Sequence, residues 1–260
     1  MRRVEAIMGT MVSLDLRDET VPDGAIDAAV DAAFAWLHDV DRRFSPFKPD
    51  SEVARLSRGE LSEADASPDL RWVLELCDGV RRTSGGAFDI RRHRRDGGLD
   101  PSGLVKGWAV ERAADMLDRA GARAYSISAG GDLFCRGQPE AGRPWRVGIQ
   151  HPLRRDAIAR VVAACDLAVA TSGAYERGEH VIDPLTGQGP RGLLSMTVVG
   201  PSLTLADAYA TAAFAMGARG PAWVASLPGY EAFAITADER TVWTPGMERH
   251  FAAVAEPITA

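Results

Sequence analysis

The chain has 260 residues, enough to bury a sizeable core as one large domain or two small ones. A hydrophobic share of 46% and a charged share of 25% are ordinary for a soluble globular protein, and a net charge of −6 argues against a nucleic-acid binder, which carries a basic stripe. Cys77, Cys135 and Cys165 are far apart and odd in number, so they form neither a metal spacing nor a disulfide framework and point to a reducing compartment. The start, MRRVEAIMGTMVSLDL, has no apolar core followed by a cleavage site, and no run of about 18 apolar residues occurs anywhere. A cytoplasmic protein without a membrane span is therefore expected.

Val4 to Leu16 alternates enough to predict a strand, and Ile26, Val30, Phe34, Leu37 and Val40 have the spacing of a helix over 25–44. Ser51 is placed to cap a short helix through Leu56, and Ser67-Pro68 to open the next, which Gly85-Gly86 ends. Ser102 is placed to cap a third long helix ending at Gly121. Strand candidates then crowd together at 124–128, 133–136, 145–150, 159–164, 168–171 and 194–199. An alanine-rich helix around 206–217, a short helix near 222–227 and a hairpin over 231–243 close the chain. Strands follow one another by short turns more often than by helices, which predicts an α+β fold with a largely antiparallel sheet, organised as a single domain over 1–260.

Chemistry concentrates in four stretches. ADAYATAAFAMG holds one carboxylate, Asp207, and one hydroxyl, Thr211, four positions apart and so on one helical face. Two readings are open: a solvated Asp favoured by the helix dipole, or two hard oxygens converging on a cation. Gly86 to Val110 carries Asp89, the basic run RRHRR, Asp100 and then a helix with Lys106; a helix start beside a lysine suits a phosphate, whereas the arginines also read as a solvated loop. SISAGGDLFCRG reads as a tight hairpin with Asp132 in its turn. AVATSGAYER and HVIDPLTGQ bring Thr171, Ser172, His180 and Asp183 together: the hydroxyls suit phosphate, and His180 is either a structural histidine or a general base.

Taken in order, MGTMVSLDL, FSPFKPDSEVARLS, GAFDI, LDPSGLVKGWAVERA, SISAGGDLFCRG, WRVGIQHP, AVATSGAYER, HVIDPLTGQ and ADAYATAAFAMG resemble the ApbE family of flavin transferases, from Met8 to about Gly217. The resemblance implies an ApbE-like, T-fold-related unit in which helices surround the sheet and two subdomains flank a central flavin cleft. It implies transfer of FMN from FAD to a threonine or serine of an acceptor protein, with FAD as substrate and Mg2+ as the metal. Asp207 and Thr211 would hold the metal, with backbone carbonyls of Gly103 and Ala210. Flavin contacts would fall on Met8, Phe47, Ala87, Phe88, Asp89, Asp100, Lys106, and His180 to Ile182, beside the phosphate-suited Thr171 and Ser172. His180, with Asp183 as its fallback, would take the acceptor's proton. Phe47 stands where relatives commonly have Tyr, and the short IRRHRRDGGL replaces a long family insertion between Asp89 and Asp100. An FAD pyrophosphatase and a non-catalytic flavin-binding protein are the alternatives.

Overall fold

The computed structural model describes residues 1–18, 23–92, 97–173 and 191–253. Its frame is one eight-stranded sheet in the order β1-β2-β3-β4-β7-β8-β9-β10, every neighbouring pair antiparallel. The strands are β1 (Arg2–Ile7), β2 (Thr10–Leu16), β3 (Tyr125–Ala129), β4 (Asp132–Arg136), β7 (Leu167–Gly173), β8 (Leu193–Gly200), β9 (Glu231–Thr236) and β10 (Thr241–Trp243). β5 (Trp145–His151) and β6 (Arg154–Ala164) form a separate hairpin between β4 and β7 in sequence. The α+β expectation with a mainly antiparallel sheet holds.

The period of two along the strands separates two cores. On β7, Ala168 and Ala170 join the helix-side core, while Leu167 and Val169 join the hairpin-side core; β9 divides likewise into Ala232 and Ala234 against Phe233 and Ile235. The helical layer comprises α1 (Asp23–Phe44), α2 (Glu52–Ser57), α3 (Pro68–Thr83), α4 (Ser102–Arg119), α5 (Leu203–Ala215) and the short α6 (Gly220–Val224). Fully buried Phe34, Leu37, Leu70, Leu104, Leu117 and Phe214 fill it, each large apolar side chain contributing about 1.5–3 kcal/mol of burial. α5 has almost no exposed side and is nearly half alanine, as suits a helix sandwiched between the sheet and α4.

Capping follows the predicted chemistry at α2 and α3: the hydroxyls of Ser51 and Ser67 accept from the N–H groups of Ala54 and Leu70 at 3.0 and 3.2 Å. At α4 it does not. Pro101 is the cap residue, Ser102 is already helical, and the Ser102 N–H donates to the Asp100 carboxylate at 3.1 Å. Proline's fixed φ suits the helix entry, so the acid two residues before the first turn takes over the acceptor role. The single strand expected over 4–16 is also divided, because Met8 and Gly9 take φ of 54° and 71° and turn the chain into the β1–β2 hairpin.

Candidate functional site

Two glycines on one face of α4 set the site. A β-carbon at Gly107 would lie 2.5 Å from the Leu203 carbonyl oxygen and 2.9 Å from Asp207 Cβ, and one at Gly103 would lie 3.1 Å from Thr211 Oγ1. At Gly107 these distances leave no room for a side chain, and at Gly103 the Thr211 side chain would have to give by a few tenths of an ångström, so α4 and α5 meet backbone to side chain along this seam. The closeness has a chemical result. The Gly107 N–H donates to Asp207 Oδ2 at 3.0 Å, reaching a carboxylate one hundred residues along the chain.

Asp207 is only 4% exposed and Thr211 8%, which removes the solvated-Asp reading of this helix. Ser172, on the helix-side face of β7, brings a further hydroxyl within 3.2 Å of Thr211 Oγ1. The orientation of α5 is fixed at its start, where the Glu111 carboxylate of α4 accepts from the Thr204 N–H and the Ser202 hydroxyl, both at 2.9 Å.

These groups lie on the wall of a cleft of about 550 Å³. Of the residues singled out from sequence, Met8, Phe47, Asp100, Gly103, Lys106, Thr171, Ser172, Asp207 and Thr211 all line it. They come from the β1–β2 turn, the loop after α1, the approach to α4 and its first turns, the end of β7 and the middle of α5. Val40 and Phe44 of α1 add apolar wall, and Phe47 is 71% exposed at the rim. The mixture of apolar surface with a few convergent polar groups is that of a small-molecule site.

Other expected positions are not on this wall. Ala87 and Phe88 are 2% and 0% exposed; the Phe88 ring packs beneath Gly103, supporting α4 from the core side. Asp89 accepts from the Arg91 N–H at 2.9 Å and opens onto a separate groove with Glu63, Asp78 and Arg91. Ala210 is fully buried in α5 and does not line the cleft. His180, Ile182 and Asp183 lie outside the described residues, as do His93, Arg94 and Arg95 of the basic run.

Asp132 was placed in a turn by its sequence, and the structure corrects this. The Gly130-Gly131 pair makes the turn, with φ of 56° and 91°; Asp132 begins β4 and is 1% exposed. Its Oδ1 accepts from the Thr171 N–H at 2.8 Å and its Oδ2 forms an ion pair with Lys106 Nζ. The glycine pair makes the turn, but the partner that draws the acid inward, Lys106, is 26 residues upstream.

The donor set around Asp207 suits a hard cation. Among the described residues no three His, Cys, Asp or Glu side chains cluster, so the set is one buried carboxylate with the hydroxyls of Thr211 and Ser172. Magnesium accepts such a set because it retains water and phosphate oxygens as further ligands.

An antiparallel α+β unit with an oxygen-rich helix seam beside one cleft is the class that fold and site define. Comparison with known proteins specifies it further. The family model described as "ApbE family" matches residues 8–94 and 90–234, and the chain belongs to that family. A curated FAD:protein FMN transferase of Escherichia coli (strain K12) is 33% identical over 245 residues, 90% of this chain and 66% of that protein. One from Salmonella typhimurium is 29% identical over 244 residues, 89% of this chain and 65% of that protein. The chain thus spans no more than about two thirds of the length of these relatives. The flavin transferase ApbE from Vibrio cholerae superposes with a TM-score of 0.83 over 96% of this chain and 98% of its own, at 21% identity, which shows the shared fold. The two stretches of the family match meet at 90–94, inside the short basic segment.

Proposed function

We propose that this chain transfers the FMN half of FAD to a threonine or serine hydroxyl of an acceptor protein in a magnesium-dependent reaction that releases AMP. The observation that carries this reading is the buried Asp207–Thr211 pair, one turn apart on α5 and held against α4 at the cleft wall. The relatives from Salmonella typhimurium and Escherichia coli, both FAD:protein FMN transferases, support it.

In this reading Asp207 and Thr211 hold the metal, with the carbonyl of cleft-lining Gly103 completing the protein's share, while Ala210 backs the pair from within α5. Bound magnesium would neutralise charge on the diphosphate and on the departing AMP as a Lewis acid. Asp207 keeps its orientation through the Gly107 N–H, so the carboxylate enters the reaction already aimed. Phe47 offers a ring face at the rim, Met8 and Asp100 bound the flavin half, and Lys106 with Ser172 faces the phosphates. The acceptor hydroxyl oxygen forms the new bond to the FMN phosphorus as the bond to the AMP oxygen breaks; its proton passes to His180, with Asp183 the alternative base. Buried Phe88 supports the cleft from behind through Gly103, and Ile182 joins the flavin contacts through the same segment as His180. The two subdomains of the 1–260 unit work as the two sides of this cleft.

The test incubates the protein with FAD, magnesium and an FMN-accepting domain, then asks whether flavin fluorescence stays on the acceptor band in denaturing electrophoresis. A labelled band supports transfer; free FMN and AMP without one would replace it with hydrolysis, and neither product would reduce the protein to a flavin binder. Asp207→Asn keeps an oxygen for the Gly107 N–H but loses the charge, so its melting temperature stays near the parent while labelling falls at least about a hundredfold. His180→Ala is expected to bind FAD as the parent does and to stall single-turnover transfer by about 10²–10⁴-fold.

A further inference from the structure

We infer that Asp132 is a positioning residue for Lys106: it holds the ammonium against the cleft wall and keeps it from closing onto the substrate diphosphate in the ground state. This rests on the transferase reading above and adds a residue that does not itself line the cleft.

Three observations support it. First, Asp132 is 1% exposed, and burying a carboxylate and an ammonium together costs much of what their attraction returns, so stability alone is a weak reason for the pair. Second, the carboxylate is oriented by the sheet. The β4–β7 ladder pairs Cys135 with Leu167 through Leu133 with Val169 and ends there because the chain turns at Gly131, which leaves the Thr171 N–H two residues beyond the last pair. Asp132 Oδ1 takes that N–H at 2.8 Å in place of the missing strand, fixing the side chain so that Oδ2 faces α4. Third, the partner it faces is Lys106, whose side chain is 18% exposed and lines the same cleft as Asp207 and Thr211. The pair has no net charge. Without Asp132 the ammonium would be a mobile cation beside a dianionic bridge, tightening ground-state binding at the expense of turnover.

The test uses four full-length proteins: the parent, Asp132→Asn, Lys106→Met and the double variant. Asparagine preserves the volume and the acceptor for the Thr171 N–H. FAD affinity is read in magnesium-free buffer from flavin fluorescence, with kcat and KM from acceptor labelling. Asp132→Asn is expected to bind FAD about three- to tenfold tighter, to lose affinity more steeply with added salt, and to turn over about tenfold more slowly. In the Lys106→Met background the same substitution should change neither quantity.

Shifts that persist without Lys106, or an Asp132→Asn protein indistinguishable from the parent, would overturn the inference. So would parallel losses of affinity and turnover that track a lowered melting temperature. Asp132→Ser, read on the same observables, replaces the asparagine variant should that fail to fold. A parent that binds no FAD removes the transferase reading and this role together; a parent that binds it while Asp132→Asn has no effect removes only the role of Asp132.

Discussion

The helix junctions on the two sides of the cleft are joined by different means. Where α4 crosses α5, glycines at 103 and 107 bring backbone against side chain, and the contact distances are set by hard atomic radii. Where α1 meets α2 and α3, a single guanidinium does the joining: Arg43 donates to Glu52 at 2.8 Å, to Asp39 at 3.0 Å, to Asp69 at 3.1 Å and to the Ser67 hydroxyl at 2.7 Å. The close-packed junction carries the metal-binding candidates, which need placement to a fraction of an ångström. The ionic junction carries the Phe47 rim through the loop that follows it, where a long, partly wet side chain holds elements together with more tolerance.

The difference predicts unequal responses to mutation. Gly107→Ala should be the most damaging, since its methyl meets backbone that cannot rotate away. A loss of about 1–3 kcal/mol in urea unfolding is expected, with magnesium-dependent labelling reduced much further because Asp207 moves with α5. Gly103→Ala meets only side chains, Thr211 at 3.1 Å and the Phe88 ring at 3.4 Å, which can give by a few tenths of an ångström, so it should fold nearly as well as the parent and show its effect as a raised magnesium requirement in the labelling assay.

Arg43→Met should cost about 1–3 kcal/mol at neutral pH, by stranding partly buried carboxylates, while FAD affinity stays within about twofold of the parent. Equal damage to flavin affinity from Arg43→Met and Gly107→Ala would remove the distinction between the two junctions.

The smallest effect is in acid. Burial pushes the carboxyls of Glu52 and Asp39 upward, but hydrogen bonds from Arg43, joined by Ser67 at Glu52 and Arg42 at Asp39, outweigh it and hold both below their ordinary values. A carboxyl depressed in the folded state contributes stability that is complete above its ordinary pKa of about 4 and is lost as pH falls through the folded value. Unfolding midpoints measured between about pH 5 and pH 2 should therefore fall more steeply for the parent than for Arg43→Met.

How much of this was legible in the sequence depends on how local the physics is. The Asp207–Thr211 spacing is a property of one helix and could be read directly, as could the Ser51 and Ser67 caps. The α4 seam was also written in the chain, as glycines four apart in GLVKG, but only the later helix gives that spacing a meaning. Asp132 was missed because a glycine pair signals its turn strongly while its partners, Lys106 and Thr171, arrive by tertiary folding. The β1–β2 turn was missed because Met8 adopts a left-handed backbone that its side chain does not advertise. Phe88 shows a different limit: its place in GAFDI resembles a flavin contact, while the burial of its ring beneath Gly103 depends on packing that a short motif does not display.

The β5–β6 hairpin leaves the main sheet after β4 and seats its apolar face on the side opposite the helices, with Leu153 at its turn 59% exposed. That turn is consequently a natural point of attachment. A dye, a bead or a fused reporter fixed there would be joined to a residue that lines no part of the cleft, on the face of the sheet away from α4 and α5.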